Sequence, residues 1–166
     1  IMIERTGQIN VNGLWESINA AELLRVHVQG KEFLHRHLFP KGSELVGHEV
    51  SQILTIADLS GLCFSQVTSK SVLSYLSGMA RTDQANYPEI LQKTFVVNAP
   101  WVFSLAWKVI GPMLDARTAA KIEVHSGDGR EELLKYIDED QLPALLGGTC
   151  HCEGGCFKGG SPEERI

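Results

Sequence analysis

The apolar positions of this chain fall into two alternating patterns. Short, nearly continuous apolar runs lie in Ile1 to Arg5, in Glu49 to Asp58 (Ile53, Leu54, Ile56, Ala57), at Lys93 to Val97 and at Ile122 to Val124. Runs of this length predict buried strands. Between them, apolar residues recur at helical spacing. Ala20 to Phe39 carries Leu23, Val26, Phe33, Leu34 and Leu38 on one face, and Pro40-Lys41-Gly42-Ser43 is expected to end that helix. Ser65 to Asn86 carries Val72, Tyr75, Leu76, Met79 and Ala80 at i, i+3, i+4, i+7 and i+8, and Pro88 stops it. Arg130 to Tyr136 predicts a short helix, and Asn10-Val11-Asn12-Gly13 reads as a loop with an Asn-Gly turn. Strands alternating with helices predict an α/β layer fold with a largely parallel sheet.

One helix breaks the amphipathic rule. Trp101 to Ile110, opened by Pro100, has only Ser104 and Lys108 as polar positions. A surface helix needs one apolar stripe rather than most of its circumference. It is therefore either buried in the core or turns a second apolar face to a ligand or a membrane. Beyond Gly111-Pro112, Asp115 is a good N-cap for a helix starting near Ala116, on which Thr118 and Lys121 share a face. A hydroxyl, an ammonium and the amides of a helix start suit one phosphate, and they equally suit an ordinary solvated first turn.

Composition narrows the function. At 166 residues with 43% hydrophobic and 21% charged residues, the chain can build a real core. A net charge of −5 and the lack of any Lys/Arg block exclude a nucleic-acid binder and weigh against electrostatic adhesion to anionic membranes. No signal-peptide pattern opens the chain, so a cytoplasmic, reducing setting is expected, with Cys63 buried. A chain that opens within a strand is expected to be part of a longer one.

Several constellations invite catalytic or metal readings. His125-Ser126 with Asp128 lies in a Gly-rich loop without the Gly-x-Ser-x-Gly elbow, so no hydrolase triad is expected. His35 and His37 are two apart and face different ways on a helix. Cys150-His151-Cys152 with Cys156 has the chemistry for zinc, but Cys-x-Cys without a second distant pair is not a zinc-finger spacing. No metal is therefore expected, with Cys150, Cys152 and Cys156 as the ligands of the alternative reading.

Five segments together resemble one family. They are Thr55-Ile56-x-Asp58-Leu59-x-Gly61, Tyr87-Pro88-Glu89, Val97-Asn98-Ala99-Pro100-Trp101-Val102-Phe103, Leu114-Asp115-x-x-Thr118-x-x-Lys121-Ile122 and Leu142-Pro143-x-x-Leu146-Gly147-Gly148. In order and spacing they resemble the CRAL-TRIO lipid-binding domain, within it the phosphatidylinositol/phosphatidylcholine transfer branch. The resemblance covers residues 1–148 and leaves 149–166 as a Gly- and Cys-rich tail. It implies a mixed, largely parallel sheet flooring an apolar lipid pocket, closed by a mobile gate helix. The Trp101 helix matches the gate, so Thr55, Trp101, Phe103, Trp107, Ile110 and Met113 would line the pocket and gate. Thr118 and Lys121 would hold the phosphodiester of phosphatidylinositol, and Glu89 would pair with Lys121 on the inositol side.

Two departures point away from phosphatidylcholine. Ile53-Leu54-Thr55 stands where its carriers have Ser-x-Thr, and Met2 stands at a first-strand position that is often Tyr. The expected function is non-enzymatic: one phospholipid bound, without a cofactor, and exchanged or presented by transient, peripheral contact with membranes. The alternatives are a carrier of a sterol, terpenoid or tocopherol-like molecule, and a non-transferring lipid-sensing or scaffold domain. The sequence sets no oligomeric state.

Overall fold

The computed structural model describes residues 1–152, 155 and 156. The chain divides into two compact units, Ile1–Gly127 and Asp128–Ile166.

The first unit is built on four strands: β1 (Met2–Glu4), β2 (Ile53–Asp58), β3 (Leu91–Val97) and β4 (Ile122–Val124). They pair in chain order, β1-β2-β3-β4, and every pair is parallel. The register aligns Met2, Thr55, Thr94 and Ile122 across the sheet, with Glu4, Ala57, Val96 and Val124 two residues further on. These residues share one face, and Leu54, Ile56, Phe95 and Val97 occupy the other. Ile56, Phe95 and Val97 are fully buried. That is why β2 and β3 read as continuous apolar runs rather than as alternating ones.

When parallel strands advance one step at a time in the same direction, right-handed crossovers place every connecting helix on the same face. The packing agrees. Leu34 and Phe39 cluster with Ile53 and Ile90, and Met2, Leu38, Val50 and Tyr87 pack around them. Leu59, Val96 and Ala99 form a second cluster, joined by Ala57, Leu62, Phe103 and Ile122. Both clusters lie on the Met2–Thr55–Thr94 face.

The helices on that face are α1 (Val11–Ser17), α2 (Ala20–Phe33), α3 (Phe39–Val46), α4 (Phe64–Val67), α5 (Lys70–Asn86), α6 (Phe103–Ile110) and α7 (Ala116–Ala120). Four differ from the sequence reading. Residues 10–13 form the start of α1 rather than a loop, because Asn10 caps it by accepting the Gly13 amide. Pro40 does not end the second helix. A π-helical turn, Leu34–Leu38, lies between α2 and α3, with the Phe39 amide donating to Leu34 O. Its wider ring moves the carbonyls that Pro40 would otherwise strike, and the helix runs on to Gly47 at φ +72°. The 65–86 helix divides at Thr68, and Ser69 caps α5. The apolar helix starts at Phe103, after a turn in which Pro100, Trp101 and Val102 carbonyls accept the amides three residues on.

Cys63, expected to be buried, is exposed. It sits at the N-cap of α4, its amide on Gln66 Oε1 and its sulfur 3.0 Å from Ser65 Oγ. α2 opens with a full capping box between Asn19 and Glu22. Asn19→Ala is expected to cost ~1 kcal/mol, or ~2–4 °C of thermal midpoint in a domain of this size, read by calorimetry.

The second unit holds α8 (Arg130–Leu133) and a 3₁₀ turn at Ala144–Leu146. Leu133, Ile137, Leu142 and Leu146 are buried. Arg130 ties the unit together, its Nε on Gly147 O at 2.7 Å and its Nη2 on Glu139.

Candidate functional site

The expected phosphate residues stand around α7. Asp115 caps the helix, accepting the amides of Arg117 and Thr118 at 2.9 Å each and the Thr118 hydroxyl at 2.7 Å. The Thr118 hydroxyl and these amides hold the Asp115 carboxyl below the usual range. The amides of this helix start and the Thr118 hydroxyl are thus already engaged by the Asp115 carboxylate, and a phosphate there would have to displace Asp115 from the hydroxyl. Lys121 ends the helix. Its ammonium reaches 30 residues back to donate to Leu91 O at 2.6 Å, and its carbonyl accepts the Thr94 amide at 2.8 Å. Two long-range bonds therefore pin Lys121 to the start of β3.

Glu89 is two residues before Leu91. It is exposed, and its backbone carbonyl accepts from Gln52 Nε2 at 3.1 Å. The structure thus brings Glu89 and Lys121 to the same end of β3, with the Lys121 ammonium on the Leu91 carbonyl. This cluster lies at the amino ends of β3 and β4. Open α/β sheets more commonly bind ligands at the carboxyl ends of their strands.

The gate candidates stand on and around α6. Val102 and Ala106 are buried against Val67, with Phe103 and Ile110 packed beside them. Phe103 also reaches the Val96 cluster, so at this point the helix meets the sheet directly. Trp107 lies tilted against Phe103, ring centroids 5.9 Å apart. The other side of the helix faces outward. Trp101 is 76% exposed, and Phe64, Val109 and Met113 are exposed too. One face of this helix is thus in the core and the other faces outward. Thr55 is buried in β2 between Met2 and Thr94. A shallow groove of about 290 Å³ runs along α2 between Val28 and His37, lined by none of the predicted pocket residues.

A polar cluster between β1, α2 and α5 escaped the sequence reading. Asp83 accepts from His27 Nε2 at 2.6 Å and pairs with Lys31 Nζ at 3.3 Å. Burial works to raise the Asp83 carboxyl, but His27 and Lys31 outweigh it and hold it low. Burial raises the Glu4 carboxyl, opposed by Lys31 and His27. Glu4 is nonetheless exposed to solvent. The partners are 56 residues apart in sequence, and no local pattern announces them.

At the carboxyl ends of the strands, Asp58 is buried and accepts from the Ser60 amide and hydroxyl and from Asn98 Nδ2 at 2.6–3.0 Å. Burial tends to raise its carboxyl, but Ser60, Asn98 and the charge of Arg5 together hold it below the usual range. Asn98 adopts φ +52°, a conformation that Asn tolerates better than most residues. His125 stacks on Phe95, ring centroids 6.2 Å apart, and Asp128 accepts the Arg130 amide, both in keeping with the loop reading of that segment.

In the second unit, Cys150, Cys152 and Cys156 come together with all three sulfurs within 4.8 Å of one another. A hydrogen bond with Cys152 is the main reason that the Cys150 thiol is pushed up to about 11. No helix among the described residues is long and apolar enough to cross a membrane.

The chain has relatives among known proteins. The chain is 35% identical over 156 residues to the Sec14 cytosolic factor of Schizosaccharomyces pombe, covering 94% of this chain and 54% of that protein. It is 34% identical over 160 residues to the phosphatidylinositol/phosphatidylcholine transfer protein SFH9 of Arabidopsis thaliana, covering 95% of this chain and 28% of that one. The chain thus spans about half the length of the first relative and less of the second. The crystal structure of Sfh5 superposes with a TM-score of 0.60 at 22% identity, over 81% of this chain and 43% of that one, and so shares the fold. The description "CRAL/TRIO domain" matches residues 1–148, nearly nine-tenths of the sequence, and the chain belongs to that family.

Proposed function

We propose that this chain binds a single phospholipid, phosphatidylinositol first, in an apolar site beneath α6 and exchanges or presents it at membrane surfaces. The observation that carries this reading is the fixed position of Lys121, three residues after Thr118, with its ammonium on the carbonyl of Leu91, which is two residues after Glu89. In relatives named as phosphatidylinositol/phosphatidylcholine transfer proteins, the match spans all three residues. In this reading the Thr118 hydroxyl and the Lys121 ammonium take the phosphodiester, and Glu89 fixes the inositol side. A cationic donor on a phosphate makes a charge-assisted hydrogen bond, and each buried acyl CH₂ contributes about 0.8 kcal/mol. Thr55, Phe103, Trp107 and Ile110 receive the acyl chains. The reading needs no cofactor and no bond-breaking chemistry, and the name of the fission yeast relative supports work in the cytosol.

Phe103 on the sheet gives α6 a specific task. It must lift for acyl chains to enter, and its outward residues are then its hold on a bilayer. With a net charge of −5, that hold is apolar rather than electrostatic. Burying a third of the Trp101 ring, roughly 60 Å² at ~25 cal/mol/Å², contributes about 1.5 kcal/mol, or ~10-fold in binding. Trp101→Ala is expected to lower vesicle binding and lipid transfer by about that factor. Its thermal midpoint should stay unchanged, because an exposed side chain contributes little to folding.

The direct test is native mass spectrometry of the purified protein, followed by transfer between vesicles with and without phosphatidylinositol. Phosphatidylinositol carried at one molecule per chain is the expected result. A different apolar molecule would keep the gate and remove the headgroup assignment. Lipid bound without transfer would turn the reading toward sensing.

A further inference from the structure

We infer that Cys150, Cys152 and Cys156 form a zinc site with three thiolate ligands and an open fourth position. The first sulfur is held firmly by the backbone around it. The Cys150 amide donates to Leu142 O at 3.0 Å, its carbonyl accepts the Ala144 amide, and Thr149 N donates to Glu139 O at 2.7 Å. Gly148 packs so tightly against Leu142 that a Cβ there would overlap the Leu142 carbonyl. Cys150 is therefore seated on a built loop of its own unit.

The third sulfur arrives through a turn. The Gly155 amide donates to Cys152 O at 2.8 Å, and Gly155 adopts φ +94°, a conformation open to glycine. That turn folds Cys156 back until its sulfur is 3.9 Å from the Cys150 sulfur and 3.6 Å from the Cys150 carbonyl. Cys152 lies 3.5 Å from Cys150, sulfur to sulfur.

These spacings suit one of two chemistries better than the other. A disulfide needs its sulfurs about 2.05 Å apart, and all four cysteines of the chain are free. A tetrahedral zinc with Zn–S bonds of about 2.3 Å holds its sulfurs ~3.8 Å apart. Cys150–Cys152 at 3.5 Å and Cys150–Cys156 at 3.9 Å bracket that distance, and the third pair lies within 4.8 Å. The sequence pattern lacks the second distant Cys pair of a zinc finger, and the Gly155 turn makes it unnecessary, since it supplies the third ligand locally. Binding releases the thiol protons to solvent, and three thiolates confined to one site gain from a divalent cation between them. Three protein ligands leave one corner of the tetrahedron to water or an incoming donor.

The test uses the full chain, purified under reducing conditions, loaded with zinc chloride and dialysed. One zinc per chain by atomic emission is expected, with Cys150, Cys152 and Cys156 protected from iodoacetamide while Cys63 alkylates at its unloaded rate. Loss of an outer-shell partner weakens a metal site ~10–100-fold. Cys150→Ser and Cys156→Ser, which remove a ligand itself, are expected to weaken zinc binding by on the order of 100-fold or more. Circular dichroism checks that each variant is folded. If either is not, alkylation of the unchanged chain decides the question. No retained zinc overturns the inference, as does zinc that persists in both variants or equal alkylation with and without zinc. An intact mass lower by two hydrogens, with two of the three cysteines blocked, also overturns it in favour of a disulfide.

Discussion

Lys121→Ala is expected to reduce phosphatidylinositol uptake by ~10–100-fold while the protein stays folded. The magnitude follows from the chemistry assigned to the ammonium. A hydrogen bond with a charged partner contributes ~1.5–3 kcal/mol, and each 1.4 kcal/mol is tenfold in affinity. The cost to the fold is smaller. Alanine removes the bond to Leu91 O, but that carbonyl is at the start of β3 and Lys121 is only partly buried, so water can replace the donor. The backbone bond from the Thr94 amide to the Lys121 carbonyl is untouched. A loss of ~1 kcal/mol, or ~2–4 °C, is expected. Lys121→Arg keeps the charge and should retain part of the uptake. Glu89→Gln, at the surface, should lower uptake less and leave the melting curve where it was. The measurement is uptake from labelled vesicles at matched folded protein. Unchanged uptake in Lys121→Ala would sink the headgroup assignment, whatever the protein then proved to carry.

Asp58→Ala should be the most damaging of these substitutions to the fold. The carboxylate is 2% exposed and accepts three hydrogen bonds, two from Ser60 and one from Asn98. Removing it strands these donors at the end of the sheet, where each unsatisfied group costs ~1–3 kcal/mol. A loss of ~3 kcal/mol, or ~6–12 °C in thermal midpoint, is expected. The same network carries a pH dependence. The folded-state pKa of Asp58 is lowered, so on acidification the unfolded chain takes up this proton first. The stabilisation is full above the unfolded value, near 4, and drains as pH falls through the lower folded value. Asp58→Asn keeps the shape with a neutral acceptor. It should be milder at neutral pH than alanine, and its stability should lose the part of the acid dependence that Asp58 supplies. Denaturant titrations at neutral and acid pH test both points. Parallel acid curves for wild type and Asp58→Asn would remove Asp58 as their source.

The strands were legible because β2 and β3 are buried on both faces, so Ile53–Ala57 and Phe95–Val97 could be little else. The errors have local causes. Asn-Gly signalled a turn at residues 12–13, yet Asn10 used its side chain to start a helix there. Pro40 signalled a stop, and a π turn displaced the carbonyls that would have enforced it. Thr118 and Lys121 were visible as neighbours on one helix and, with Glu89, as family positions. The bond that anchors Lys121 to Leu91 was hidden in a 30-residue separation. The His27–Asp83–Lys31 cluster was equally hidden, because charge partners joined across two helices leave no periodic trace. The cysteines are a similar case: their spacing is not a zinc-finger pattern, and it did not announce that the three sulfurs lie within 4.8 Å of one another.

The strand order has a consequence for how the molecule comes into being. Each strand lies beside the one synthesised before it, so no strand has to insert between two that are already paired. The sheet can therefore lengthen at one edge as the polypeptide emerges from the ribosome, each βαβ unit docking on a finished neighbour. Growth of this kind keeps loop closures local, which speeds folding. The outer side of β1 stays an edge throughout, so only the growing edge changes as each strand is added, and each new strand covers it at once.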